Sequence, residues 1–228
     1  LERNQRLAAM GEMAASLAHQ LRTPLAAALL YTSNLGQPGV ADEARARFSE
    51  KASGQLRRLE RLIQDVLLFA RGESIGRDVM LAGDLLLEVA QTVEPLMREH
   101  GIEFVAVDDC SDLKIVGRRK ALNGALINLL ENAMQATPSG GKICLSGKKR
   151  GDLLAIGVSD TGPGVPLDKQ MRIFEPFFTT KGQGTGLGLA IALGVARAHG
   201  GVIELHSVPG EGAEFVMTLP TGAAESEG

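Results

Sequence analysis

The 228-residue chain has no tryptophan, a single tyrosine and seven phenylalanines, an aromatic fraction of 4%. That excludes the stacking platforms on which single-stranded nucleic acids are held. Its two cysteines, Cys110 and Cys144, are 34 positions apart, so they form no Cys-x-x-Cys metal clip and no disulfide framework. A reducing, cytoplasmic setting follows as the expectation. No apolar run approaches the roughly twenty residues of a membrane span, and the N-terminus lacks a signal-peptide pattern. No membrane contact is expected of this stretch. The formal net charge of −3 leaves no excess of basic residues for a nucleic-acid backbone. Gly-Lys-Ser/Thr is absent, which removes the ordinary P-loop. What remains is 44% apolar and 22% charged, enough to bury a core. The chain opens on Leu1 in what reads as mid-helix, so it is expected to be a piece of a longer protein.

Composition divides the chain. Residues 1–75 hold 5 of the 28 glycines and carry 10 Lys/Arg against 8 Asp/Glu; residues 76–228 hold the other 23, with 14 against 19. Two domains, 1–75 and 76–228, are expected, joined near Arg71–Asp78, where Gly72 and Gly76 interrupt the helical pattern. In the first, Leu7, Met10, Ala14, Leu17 and Leu21 repeat at three-then-four spacing, the stripe of a helix packed lengthwise on others. Pro24 lies inside it and predicts a kink, since it brings no N–H to the helical ladder. Asn34–Gly39 reads as a turn, and Leu56, Leu59, Ile63, Val66 and Ala70 define a second helix. A two-helix hairpin cannot cover both stripes by itself. A symmetric dimer forming a four-helix bundle would do so; packing on the second domain is the alternative.

The second half alternates. Helices are predicted over Leu85–Arg98, Lys120–Ala136 and Gly186–His199, and strands over Ile102–Val107, Leu113–Val116, Lys142–Lys149, Leu153–Ser159, Gly201–Ser207 and Ala213–Leu219. A glycine-rich, poorly periodic stretch spans Asp160–Gly184. Helices mixed with antiparallel-looking hairpins point to an α/β sandwich, not a doubly wound parallel sheet.

Four clusters carry chemistry. His19 falls opposite the packed stripe and is expected to face solvent, beside Arg22, Thr23 and Pro24; a neutral imidazole there is a competent nucleophile. Asn128 and Asn132, four apart, share a helix face and can offer carbonyl oxygens to a hard cation such as Mg²⁺; two exposed amides are the plainer alternative. Asp160-Thr-Gly-Pro-Gly164 ends an apolar strand, with glycines that let backbone approach a flat ligand and a carboxylate that can accept from an amino group. Gly182-Gln-Gly-Thr-Gly-Leu-Gly188 runs into a helix, the combination phosphates use, with Lys181 placed to add positive charge. Arg118-Arg119-Lys120 reads as a solvated basic cluster.

In their order these segments resemble sensor histidine kinases. Leu17-Ala-His-Gln-Leu-Arg-Thr-Pro-Leu25 is similar to the phosphoacceptor box, Asn128-Leu-Leu-Glu-Asn-Ala133 to the asparagine box, Asp160–Gly164 and Gly184–Gly188 to the two glycine boxes, and Phe174-Glu-Pro-Phe-Phe178 to the phenylalanine box. The closing Gly200-Gly201, Ser207, Gly210, Gly212, Phe215 and Leu219-Pro220 match as well. The resemblance covers essentially the whole chain. With Gln20 after the histidine and the Ala-Ala-Met-Gly-Glu-Met lead-in, it looks most like the sensor kinases of flagellar regulons. It implies a dimerisation and phosphotransfer hairpin followed by a Bergerat-type ATP-binding sandwich.

It further implies that the chain is a protein-histidine kinase that phosphorylates His19 and passes the phosphoryl group to an aspartate on the receiver domain of a response regulator, a σ54-type activator. Thr23 would hold a water for the reverse, phosphatase activity. ATP would contact Asn128, Asn132, Asp160, Gly162, Gly164, Phe174, Thr180, Lys181, Gly184, Thr185, Gly186, Leu187 and Gly188, with Mg²⁺ on Asn128 and Asn132. Phe174–Gly184 would form a lid ordered by nucleotide. Two departures stand out: Gln20 occupies the place of an acid thought to take the histidine proton, and Ala213 replaces a Ser or Thr. The rival readings are a Bergerat-fold ATPase clamp and a dimeric nucleotide-binding scaffold. The clamp would need Glu where Asn128 stands.

Overall fold

The structure is a computed structural model that describes residues 14–71, 78–180 and 185–222. The chain divides into two compact units, Leu1–Gly72 and Glu73–Gly228.

The first unit is a hairpin of α1 (Ala14–Leu35) and α2 (Asp42–Arg71). The predicted turn is there: Gly36 donates its N–H to the Ser33 carbonyl and Gly39 takes φ +84°. α1 runs through the buried Pro24 as one element. Proline there leaves the Gln20 carbonyl, four residues back, without a helical donor. The helices meet through Tyr31 stacked on Phe48, ring centroids 6.4 Å apart, with the Lys51 ammonium 5.6 Å from the Tyr31 ring. Ala28, Ala52 and Leu62 are buried, whereas Leu25, Leu29, Leu30, Leu56 and Ile63 are exposed. Leu56 and Ile63 belong to the predicted stripe, so one copy of the hairpin does not cover it.

The second unit is a two-layer α/β sandwich. β1 (Asp78–Leu81) pairs antiparallel with β3 (Lys114–Gly117) in a small ribbon. The main sheet, in the order β2-β4-β5-β7-β6, comprises β2 (Glu103–Asp109), β4 (Lys142–Arg150), β5 (Leu153–Asp160), β6 (Val202–Ser207) and β7 (Ala213–Pro220). Helices α3 (Ala82–Glu99), α4 (Arg119–Ala136) and α6 (Gly188–Ala198) pack on it, and a short α5 spans Leu167–Gln170. Alternate residues face the helices: Ile143, Leu145 and Gly147 on β4, Phe215, Met217 and Leu219 on β7. β5, paired on both edges, is buried over nearly its whole length.

Three expectations are corrected. Asp78–Leu81, which begins at the end of the expected linker and carries no predicted element, forms β1, because a strand of four residues is too short to show periodicity. β3 pairs with β1 and not with its sequence neighbour β2, and β2 pairs parallel to β4 across the α4 connection, so the sheet is not built of hairpins alone. The last helix begins at Gly188, two residues later than predicted, because Gly186 takes φ +68°, outside the helical region. Among the described residues no helix is long and apolar enough to cross a membrane.

Candidate functional site

In the second unit the asparagine and glycine segments singled out in the sequence converge on one stripe of α4. Leu126, Leu129, Leu130 and Ala133 are buried against the sheet, which turns the half-exposed Asn128 and Asn132 outward together, as their four-residue spacing requires. At Asn128 the stripe meets the start of α6: a methyl group on Gly188 would sit 3.7 Å from the Asn128 carboxamide carbon and 3.9 Å from its oxygen. At Ala136, one turn beyond Asn132, it meets the loop after β5, where a methyl group on Gly162 would lie 2.8 Å from the Ala136 carbonyl oxygen. Positions 128, 132 and 136 thus form a floor between two glycine segments.

Asp160 is only 8% exposed, and its Oδ1 accepts the Gly162 N–H at 2.8 Å. Gly164, at φ +68°, has no room for a side chain: a methyl group would come within 2.5 Å of the Val208 carbonyl oxygen. The β6–β7 turn braces this loop from behind. Gly210 donates to the Pro163 carbonyl (2.7 Å), Val165 donates to the Ser207 hydroxyl (2.9 Å), and that hydroxyl donates to the Gly212 carbonyl (2.8 Å). The Gln170 amide closes the set by donating to the carbonyls of Val165 and Ser207. Gln170 has no signal in the sequence, since an amide in a four-residue helix shows no pattern.

The phenylalanine segment is anchored from two sides. Phe174 meets Phe215 edge-on at 6.2 Å, and the Arg172 guanidinium stands 4.4 Å from the Phe178 ring centroid while bonding Glu175. Phe177 is the one described non-glycine residue with positive φ, +65°, a conformation held by its N–H to the Gly186 carbonyl at 2.8 Å. Gly186 presses on that same Phe177 backbone where a side chain could not fit. Thr180 is exposed; Lys181 and Gly184 lie outside the described residues. Beyond them Thr185 accepts the Leu187 N–H through its hydroxyl (3.3 Å), and Leu187 is fully buried at the head of α6.

In the first unit, the side chain of the α1 residue His19 also lies outside the description. Its neighbour Gln20 has a carboxamide oxygen that is buried with no hydrogen-bond partner among the described residues. Thr23 is exposed. Arg119 makes a solvent-exposed ion pair with Glu88 at 3.4 Å, in keeping with a solvated basic cluster. Sequence reasoning missed His199, which is buried and accepts the Arg118 backbone N–H.

Residues 117–223 match the family model of the histidine kinase-, DNA gyrase B- and HSP90-like ATPases, and residues 9–75 that of the His Kinase A (phospho-acceptor) domain. The solved catalytic domain of the histidine kinase ThkA, in a nucleotide-free form, is 33% identical, with a TM-score of 0.60 over 64% of this chain and 96% of its own. The chain belongs to the histidine kinases. This histidine kinase is also 39% identical over 220 residues to the sensor protein kinase FleS of Pseudomonas aeruginosa, covering 96% of this chain and 54% of FleS. ThkA in complex with the response regulator protein TrrA matches with a TM-score of 0.82 at 28% identity, over 96% of this chain and 64% of that one. Full-length ShkA in complex with AMPPNP matches at 0.70 and 29%, over 93% and 46%. The chain therefore spans about half the length of the curated relative FleS and carries the paired phosphoacceptor and ATPase-type domains of the family.

Proposed function

We propose that this histidine kinase core binds ATP with Mg²⁺ in its second unit and transfers the γ-phosphoryl group to a ring nitrogen of His19. In that step an N–P bond forms, the bond from the γ-phosphorus to the β–γ bridging oxygen breaks, ADP leaves, and the imidazole sheds its other proton. The phosphoryl group then passes to an aspartate of a receiver domain. The observation that carries this is the α4 floor, which lies between the Asp160–Gly164 loop and the head of α6. Asp160 would take the adenine amino group, and Gly162 and Gly164 keep that wall at backbone thickness. At the other end Thr185, Gly186, Leu187 and Gly188 would present backbone N–H groups to the phosphates, with Phe174, Thr180, Lys181 and Gly184 on the covering segment. Asn128 and Asn132 fit Mg²⁺, which takes oxygen donors and keeps waters and phosphate oxygens as its remaining ligands. Bound there, the ion would neutralise charge on the transferring group, where catalysis is mainly positioning and charge compensation.

Gln20 would orient His19 through its carbonyl oxygen, which has no partner among the described residues, without supplying a base. Thr23 would hold the water of a phosphatase reaction. The hairpin would dimerise through the apolar residues that one copy leaves exposed. The likeness to FleS supports a role in flagellar regulation with a σ54-type activator as the receiver, and the ThkA–TrrA complex supports a response regulator as partner. Incubation with γ-labelled ATP and Mg²⁺ tests the reading. Acid-labile label on the protein, lost in His19→Gln, is expected. Free phosphate without protein label would replace it with an ATPase clamp, and nucleotide binding without either product with a scaffold.

A further inference from the structure

His199 sits far from the residues assigned above, yet it ties the two helices that carry them. α4 and α6 run in opposite directions: Gly188 lies against Asn128 at one end, and His199, just past the last residue of α6, meets Arg118, just before the first of α4, at the other. The imidazole is 4% exposed. Its Nε2 is 3.0 Å from the Arg118 backbone nitrogen, and its Nδ1 is 2.7 Å from the Val195 carbonyl oxygen. A backbone N–H only donates and a carbonyl only accepts, so Nε2 carries the lone pair and Nδ1 the proton. The ring is a neutral imidazole in one tautomer. Gly117 fixes its position further, since a methyl group there would lie 2.7 Å from the His199 Cδ2 and 2.9 Å from the Leu122 Cδ1. The Arg118 N–H is one of the donors that the start of α4 leaves without a helical acceptor, and no side-chain cap satisfies that helix.

We propose that His199 is a positioning residue for the nucleotide site: by accepting the Arg118 N–H it sets the lengthwise register of α6 on α4, and so the placement of Leu187 and Gly188 against Asn128. α6 is an 11-residue rod about 16 Å long; a slip at its C-terminal end is carried to its head, because packed helices move as units. This rests on the reading that the second unit binds ATP. No shorter side chain does both jobs. An Asn can donate to Val195 as Nδ1 does but does not reach Arg118, whereas the longer Gln can bring its carbonyl oxygen to the place of Nε2.

The test compares His199→Asn with His199→Gln in the full chain, by the backbone amide resonances of Leu187 and Gly188 and by the affinity for a non-hydrolysable ATP analogue with Mg²⁺. His199→Asn is expected to move both resonances and to weaken the analogue by up to about 10²-fold, the scale on which small displacements act in such sites. His199→Gln is expected to restore both. A folded His199→Asn with unmoved Leu187 and Gly188 resonances overturns the proposal. So does wild-type affinity in that variant, because a merely structural role would lower melting temperature alone. Should His199→Asn not fold, His199→Gln decides: folding with Leu187 and Gly188 in place supports the register role, and folding with both displaced overturns it. If the unaltered chain fails to bind the analogue, the ATP reading falls, and the amide resonances still decide the role of His199.

Discussion

The two units solve the burial problem differently. Among the described residues the hairpin buries two alanines, a proline and Leu62, and leaves Leu25, Leu29, Leu30, Leu56 and Ile63 exposed. The sheet unit buries whole layers, from Leu85, Val89 and Met97 on α3 to Phe215 and Met217 on β7. Two helices offer each other one face apiece and have no third layer; a five-stranded sheet under three helices closes its own core. The hairpin is thus the unit with apolar surface left uncovered, and the sheet unit the one that can hold a site whose geometry is set by backbone contacts.

The contrast breaks most visibly in Leu21→Asp combined with Ile63→Asp. Each buried aliphatic side chain at such a seam contributes roughly 1.5–3 kcal/mol, and an unpaired carboxylate there adds a desolvation cost. Light scattering is expected to show monomers, while the melting transition of the sheet unit stays in place; a variant that remains dimeric would place the interface elsewhere. In the other unit, Asn132→Ala is expected to lower autophosphorylation by at least about 10²-fold, the loss typical of one charge-stabilising group, with the circular dichroism spectrum unchanged. Normal activity in that folded protein would remove Asn132 from the site.

Gln20→Glu sharpens the comparison from the hairpin side. A carboxylate could take the His19 proton that Gln20 cannot, and general-base assistance is worth about 10²–10⁴-fold. Rapid quench at saturating ATP is expected to show a faster reaction with nucleotide affinity unchanged; an equal or slower rate would mean that proton removal does not limit the kinase. The smallest effect concerns the cysteines of the sheet unit. Burial, reinforced by the Asp108 carboxylate, pushes the Cys110 thiol from its ordinary value of 9.0 up to about 12, whereas Cys144 is half-exposed. At pH 8 iodoacetamide is expected to modify Cys144 first and Cys110 only after unfolding. Equal rates in the folded protein would contradict that burial. Between pH 9 and 12 the unfolded chain gives up the Cys110 proton and the folded chain keeps it, so stability should fall as pH rises through that window.

Much of this was legible because the signals were local. The stripe Leu56–Ala70 at three-then-four spacing falls within α2, which begins well before it at Asp42, and the helix read over Lys120–Ala136 matches α4 to within one residue. The Asn128–Asn132 pair read correctly as one outward face, since Leu126, Leu129 and Leu130 occupy the other. The glycines at 162 and 164 read as places where backbone meets a flat ligand, and Gly186 as part of a phosphate cradle; in the structure each is packed against the protein itself, at Ala136, Val208 and Phe177. Less legible were features made by pairing at a distance. β1 has four residues and no periodicity, Gln170 and His199 each add to a nearby carbonyl a second partner, 37 and 81 positions away, and the positive φ of Phe177 depends on a carbonyl at Gly186.

Periodicity, glycine placement and motif order are written within a few residues of one another, and so the sequence alone was enough for the division into a helical hairpin and an α/β unit, for the family, and for naming candidate segments for chemistry. Only the tertiary structure decided that β2 runs parallel to β4, that α4 is the common floor of the two glycine segments, and that a buried imidazole pins α6 to α4. Those depend on which backbone groups meet across the fold, and an N–H or carbonyl looks the same at every position of a sequence until a partner is brought to it.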